Sequence, residues 1–202
     1  MPTERPLPRG LYGIADAAFG PPMELAMLLA DAGCRVIQLR AKAWTTGERA
    51  DCARKLVEQL GEGVCLVMND DLEAAAWAGV GGLHLGQTDG SLQVARQRLG
   101  KRALLGRSTH DLAQVDAVES AADYIGFGPV FTTSTKAGAG DARGVALLTE
   151  AVARARVPVV AIGGIGLASL PRVRQSGAHS WAVISDIFRH PDPLARARML
   201  RL

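Results

Sequence analysis

The stretch Gln38-Leu39-Arg40-Ala41-Lys42 carries an amide and two cations at every second position. Read as the end of a strand, that spacing turns all three side chains to one face, because strand side chains alternate. An arginine fork beside a lysine ammonium suits the oxygens of a phosphate or diphosphate. A solvated strand end held by salt bridges fits the same residues. Two acids lie further along, each just after a short apolar run: Asp70 in Met68-Asn69-Asp70-Asp71, and Asp89 in His84-Leu85-Gly86-Gln87-Thr88-Asp89. Carboxylates from neighbouring loops can hold one Mg²⁺, which keeps several waters and completes its shell with substrate phosphate oxygens. Asn69 is placed to hydrogen-bond a ligand. Asp71 stands where it would cap a following helix, a position that Asp70 reaches one residue too early. His84 is open to three readings: a ligand, a base, or a histidine of the protein interior.

Hydroxyl groups come next. Ser108 falls in Gly106-Arg107-Ser108-Thr109-His110, and Thr133, Thr135 and Lys136 follow the turn Gly126-Phe127-Gly128. Hydroxyls, amides and an ammonium make a phosphate cradle. Gly163-Gly164 and Ile184-Ser185 each end an apolar run, where small residues let backbone N–H groups approach an anion. A tight turn that needs glycine is the plainer reading of the glycine pair. Phe131 stands where a dinucleotide fingerprint would need its third glycine, and Walker A, H-E-x-x-H and G-x-S-x-G patterns do not occur.

The elements that must position these groups alternate. Apolar runs at Leu11–Ala15, Val36–Leu39, Cys65–Met68, Gly82–Leu85, Leu104–Gly106, Tyr124–Gly128, Val157–Ile162 and Ser180–Ile184 read as strands. Helical stretches separate them at Met23–Ala32, Gly47–Leu60, Asp71–Ala78, Ser91–Leu99, Asp111–Ala121, Ala146–Arg156 and Leu167–Ser176, and another closes the chain at Pro193–Leu200. Thr46, Ser91 and Asp111 suit N-caps, while Gly33 and Gly177 suit left-handed helix exits. Val157–Ile162 is apolar throughout, as in strands of a parallel sheet covered on both faces. Eight units of roughly 25 residues predict an α/β fold, a (β/α)8 or TIM barrel, in one domain over residues 1–202. An open doubly wound sheet is the competing architecture. Residues 1–9 are expected to form a flexible or extended N-terminal segment. In such a barrel the catalytic groups sit at the C-terminal ends of the strands, where the residues singled out above fall.

Composition narrows the function classes. Apolar residues make up 48%, charged residues 21% and aromatics 4%, so aliphatic side chains must fill the core and disorder is excluded for most of the chain. A net charge of +3 is too slight for a nucleic-acid or membrane surface, so the expected partners are small molecules. Three cysteines, Cys34, Cys52 and Cys65, form no C-x-x-C pair and read as buried packing residues rather than a disulfide or zinc framework. No apolar run reaches 18 residues and no signal peptide is evident, so the cytoplasm is the expected compartment. A homo-oligomer is compatible with the sequence, which does not fix the oligomeric state.

Taken together in order and spacing, these motifs give the chain a resemblance to the thiamine-phosphate synthase (thiamine-phosphate diphosphorylase) family. It is carried by Gln-Leu-Arg-x-Lys at 38–42, Asn-Asp at 69–70, His-Leu-Gly-Gln-x-Asp at 84–89 and Gly-x-Ser-x-His at 106–110. Asp-Tyr-Ile-Gly-x-Gly-Pro-Val-Phe at 123–131, Thr-x-Thr-Lys at 133–136, Ala-Ile-Gly-Gly-Ile at 161–165 and Val-Ile-Ser at 183–185 extend it nearly end to end. The resemblance implies a transferase that joins hydroxymethylpyrimidine diphosphate to hydroxyethylthiazole phosphate, giving thiamine phosphate and diphosphate. It implies Mg²⁺ at Asp70 and Asp89, and diphosphate at Arg40, Lys42, Asn69, Ser108 and Lys136. It implies a pyrimidine contact at Gln38, and the thiazole phosphate at Thr133, Thr135, Gly164, Ile184 and Ser185. Arg40, Lys42, Ser108 and Lys136 would stabilise the departing charge. A thiazole tautomerase of the same fold, with His84 or His110 as base, and a non-catalytic thiamine-phosphate-binding regulator are the rival readings. Three residues depart from the family pattern: Ala41 where an acid is common, Arg107 where an aliphatic is usual, and Asp186 where a small residue is usual. An aspartate beside a phosphate site repels it unless its side chain turns away.

Overall fold

The computed structural model describes residues 6–133, 135 and 141–201. Eight parallel strands form a closed barrel in sequence order: β1 Gly10–Asp16, β2 Val36–Arg40, β3 Cys65–Asn69, β4 Gly82–Leu85, β5 Leu104–Thr109, β6 Tyr124–Phe127, β7 Val159–Ile162 and β8 Ser180–Val183. The ring closes where β1 pairs with β8, Leu11 opposite Trp181. Closure excludes the open doubly wound sheet. The helices among the described residues are α1 Pro22–Asp31, α2 Thr46–Leu60, α3 Leu72–Ala78, α4 Leu92–Leu99, α5 Leu112–Asp116, α6 Gly144–Arg154, α7 Leu170–Gln175, α8 Ser185–Phe188 and α9 Pro193–Met199.

Alternation along each strand builds two cores. Ile37, Leu39, Leu66, Met68, Leu83, Leu85, Leu105 and Phe127 point outward and are buried beneath the helices. Tyr12, Ile14, Val36, Cys65, Val67, Leu104, Tyr124, Val160 and Ala182 point inward and fill the barrel itself, with Leu7 packed among them. That interior is a solid plug rather than a pore. His179 and Ser180 side chains bond the carbonyls of Leu7 and Pro8 at 2.8 and 2.9 Å, fastening the approach to β1. The three cysteines are free and buried, and burial pushes the Cys34 thiol up to about 12. Among the described residues no helix is long and apolar enough to cross a membrane.

Several boundaries differ from the sequence reading. Thr45, not Thr46, caps α2: its hydroxyl accepts from Glu48 N while the Glu48 carboxylate accepts from Thr45 N at 2.7 Å, a reciprocal capping box. Ser91 and Asp111 cap α4 and α5 as expected. Helix α5 stops at Asp116 instead of running to Ala121, because Glu119 leaves the helical path to bond Arg107 and the Leu92 N–H. Helix α8 was not anticipated, being a single turn. Gly33 and Gly177 do take positive φ, 91° and 83°, just past α1 and α7.

Candidate active site

The C-terminal ends of the strands open onto one cavity. Gln38, Arg40, Lys42, Asn69, Asp70, Asp89, Ser108, Thr133, Thr135, Gly164, Ile184 and Ser185 all line it. Lys136 lies outside the described residues. Because strands follow one another around the ring, β2 to β5 bring the cations, acids and Ser108 to one arc of the mouth, and β6 to β8 bring the small and hydroxylated residues to the opposite arc.

On the first arc, Gln38 and Arg40 point inward from β2, and Lys42 follows just beyond it. Arg40 forms an ion pair with Asp16, a carboxylate only 2% exposed at the end of β1. Asp16 also accepts from Ala18 N at 3.0 Å. One face of the guanidinium is thereby anchored to the barrel wall. Lys42 Nζ is 3.2 Å from Asp70. Asp70 turns off the end of β3 with φ 62°, a left-handed conformation rare for a non-glycine residue and tolerated by aspartate. Its N–H is held by the His84 carbonyl at 2.9 Å. Asp71 swings the other way, capping α3 through Ala74 N at 2.9 Å and pairing with Arg49 at 2.7 Å, so its role is structural.

Asp70 and Asp89 meet carboxyl to carboxyl in a hydrogen bond. Burial raises the Asp89 carboxyl, and the hydrogen bond and negative charge of Asp70 raise it further. Burial alone would raise Asp70 as well, but the bonds from Asp89, Lys42 and Asn69 hold it below its usual range. Two acids that perturb each other in this way favour sharing a proton or a cation. That donor set fits a hard divalent ion: two carboxylates from adjacent loops, facing an open mouth. Among the described residues there is no cluster of three or more metal-ligating side chains, so waters and substrate oxygens would complete the shell.

Arg107 alternates with the inward-facing Ser108 and points away from the cavity. It is 7% exposed and binds both ends of the turn that carries Asp89, donating to the carbonyls of Gly86 at 2.5 Å and Gly90 at 2.8 Å. Its charge is met by Glu119, 2.5 Å away. Arg107 therefore braces a site loop and takes no direct part in anion binding. Burial would raise the Glu119 carboxyl, but bonds from Arg107, Leu92 N and Ser91 hold it below its ordinary value of 4.5. The stability it contributes is therefore complete above about pH 4.5 and lost as pH falls through the lowered folded value. Replacing Glu119 with glutamine is expected to cost about 2 kcal/mol at pH 7, less than a fully buried pair because the carboxylate is partly exposed. Urea unfolding of both proteins at a series of pH values should show that gap closing below about pH 4.5.

On the second arc, Gly164 has φ 62°, and a Cβ there would lie 2.5 Å from the Thr132 carbonyl and 2.8 Å from Phe131 Cβ. Only glycine lets the strand end fold this tightly against the following loop. Thr133 Oγ1 accepts from Thr135 N at 3.2 Å. Asp186 turns away from the cavity: it accepts from Leu167 N at 3.2 Å and lies 3.8 Å from Arg196 Nε. The repulsion expected from its sequence position is thus avoided.

Six lining residues from the strands were not singled out by function in the sequence: Tyr12, Ile14, Tyr124, Val160, Ile162 and Ala182. Asp16 was also missed, although a carboxylate at the end of the first strand was the available signal. His110 lines the cavity with Nδ1 2.7 Å from the Gly128 carbonyl; as a carbonyl only accepts, the neutral ring carries its proton on Nδ1.

Phosphate-handling TIM-barrel enzymes are the class to which this mouth belongs, with anion-gripping groups after several strands and a glycine–serine edge after the last two. The family model for thiamine monophosphate synthase matches residues 11–187. The chain belongs to that family. It is 42% identical over 199 residues to a thiamine-phosphate synthase of Azoarcus sp. (strain BH72), covering 94% of each protein. It is 43% identical over 170 residues to one from Synechococcus sp. (strain WH7803), covering 83% of this chain and 48% of that longer protein. The solved thiamine phosphate pyrophosphorylase of Pyrococcus furiosus superposes with a TM-score of 0.83 at 28% identity, covering 95% of this chain and 93% of that one.

Proposed function

We infer that this chain is a thiamine-phosphate synthase, a transferase that joins hydroxymethylpyrimidine diphosphate to hydroxyethylthiazole phosphate. The observation that carries the reading is the two-arc mouth: Arg40, Lys42, Asn69, Asp70, Asp89 and Ser108 face Thr133, Thr135, Gly164 and Ser185 across a single cavity. One arc suits a diphosphate, the other a phosphate monoester, and the interior between them is lined by Tyr12, Ile14, Val160 and Ile162.

Arg40, Lys42, Asn69 and Ser108 bind the diphosphate and, with Lys136, stabilise the negative charge that grows as the carbon–oxygen bond of the pyrimidine substrate breaks. Gln38 orients the pyrimidine ring. Mg²⁺, held by Asp70 and Asp89, would neutralise the leaving diphosphate. Diphosphate departs with the bonding electron pair, and the apolar wall keeps water from the pyrimidinylmethyl cation. Thr133, Thr135, Gly164, Ile184 and Ser185 hold the thiazole phosphate so that the ring nitrogen lone pair forms the new carbon–nitrogen bond. No protein nucleophile is needed. The chemistry suits a cytoplasmic enzyme acting on small molecules, alone or as a homo-oligomer.

Incubating the purified chain with both substrates and Mg²⁺ should yield thiamine phosphate and diphosphate in equal amounts, and excess chelator should abolish both. Isomerisation of a thiazole phosphate without diphosphate release would instead identify a tautomerase. Tight product binding without turnover would identify a regulator.

A further inference from the structure

A row of hydrogen bonds crosses the barrel interior beneath the mouth. Gln38 Nε2 donates to Tyr12 Oη at 3.1 Å, and the Tyr12 and Tyr124 hydroxyls are 2.8 Å apart. Tyr124 Oη is 3.0 Å from His84 Nδ1, and His84 Nε2 is 2.9 Å from Ser108 Oγ. The row begins at one ligand-facing side chain of the cavity and ends at another.

Its direction is selected by requiring that every proton in the row find an acceptor. Each hydroxyl has one proton, and a neutral imidazole has one N–H. With the Gln38 amide donating to Tyr12, the Tyr12 proton goes to Tyr124 and the Tyr124 proton goes to His84 Nδ1. His84 then carries its own proton on Nε2 and donates it to Ser108. The Ser108 oxygen is occupied as an acceptor, and its proton is left for the cavity. Burial pushes both tyrosine hydroxyls far above their ordinary value, so each stays a neutral donor. Gly106 makes the room: a Cβ there would lie 2.2 Å from Tyr124 Cζ and 2.5 Å from His84 Nδ1. The opposite polarity would commit the Ser108 proton to His84 and turn oxygen lone pairs toward an incoming anion.

We propose that His84 is a positioning residue: through this relay it holds the Ser108 hydroxyl as a hydrogen-bond donor to the diphosphate. The identity of that anion rests on the synthase reading; the polarity of the relay does not. Nitrogen-15 NMR of the full chain, with His84→Asn to assign the resonance, should show His84 as the Nε2–H tautomer, and Tyr124→Phe should leave a mixture of tautomers. Calorimetric titration with inorganic diphosphate and Mg²⁺ should show about 10-fold weaker binding for Tyr124→Phe and for Ser108→Ala. The double variant should be no weaker than either single one, because both break the same donor. A merely structural role for Tyr124 would lower the melting temperature without changing the tautomer in this way.

An Nδ1–H tautomer in the unaltered protein, or additive losses in the double variant, would overturn the relay even if the coupling reaction proceeds. An intact relay with coupled losses but no coupling of the two substrates would overturn the synthase reading and leave the relay standing. Failure of the unaltered protein to bind diphosphate would overturn the synthase reading and, with it, the positioning role proposed for His84, whatever tautomer the ring carries.

Discussion

Replacing Asp89 with alanine is expected to lower turnover by more than about 100-fold, the lower end for losing a group that stabilises transition-state charge. Asp89 ends the turn braced by Arg107, and its carboxylate bonds the Gly86 N–H at 2.8 Å on one side and Asp70 on the other. Removing it leaves Asp70 alone to face Lys42, a pairing in which one acid is neutralised and no bidentate claw remains. Mn²⁺ binding, followed by electron paramagnetic resonance without substrate, should weaken in parallel with the Mg²⁺ requirement of the reaction. Near-normal rates, or unchanged Mn²⁺ affinity, would remove the two-carboxylate assignment.

Arg40→Ala is expected to cost a similar factor in turnover, and here a second cost arises. Asp16 is 2% exposed, and Arg40 is its ion-pair partner. Deleting the arginine leaves that carboxylate buried without a counter-charge, a loss of about 3 kcal/mol or more in folding stability. Asp16→Asn in the same protein removes the stranded charge and keeps an oxygen for the Ala18 N–H. The double variant should therefore regain much of the stability lost in Arg40→Ala, measured by urea unfolding at pH 7, and none of the turnover. Recovery of turnover as well would show that Arg40 acts on the fold rather than on the substrate.

The barrel was legible because each strand is a short apolar run followed by a helical stretch, and because eight such units leave little chain for anything else. The mouth was legible for the same reason: Gln38, Arg40 and Lys42 share a face by strand periodicity, and Asp70, Asp89 and Ser108 fall at or just past strand ends. Relations between distant strands were not. Tyr12 and Tyr124 are 112 residues apart on β1 and β6, strands that do not pair, so their meeting depends on barrel closure and on the space that Gly106 leaves. Arg107 stood out only as a departure from the family pattern; alternation with Ser108 already placed it on the other face. The turn of Asp186 was hidden too, because nothing in its local sequence says that Leu167 N will take up its carboxylate. The early end of α5 was hidden likewise, since Glu119 is diverted by a partner on another element.

Leu7 and the inward residues around it seal the underside of the ring. With that exit stoppered among the described residues, the reactants and products of the proposed reaction would share one doorway. In the synthase proposed above, coupled product lodged in the opening would shut out the next pair of reactants, and spent diphosphate would occupy the berth that a fresh pyrimidine ester needs. A dead-end chamber of this kind predicts self-limiting traffic: raising the level of either product in a steady-state assay is expected to slow the coupling.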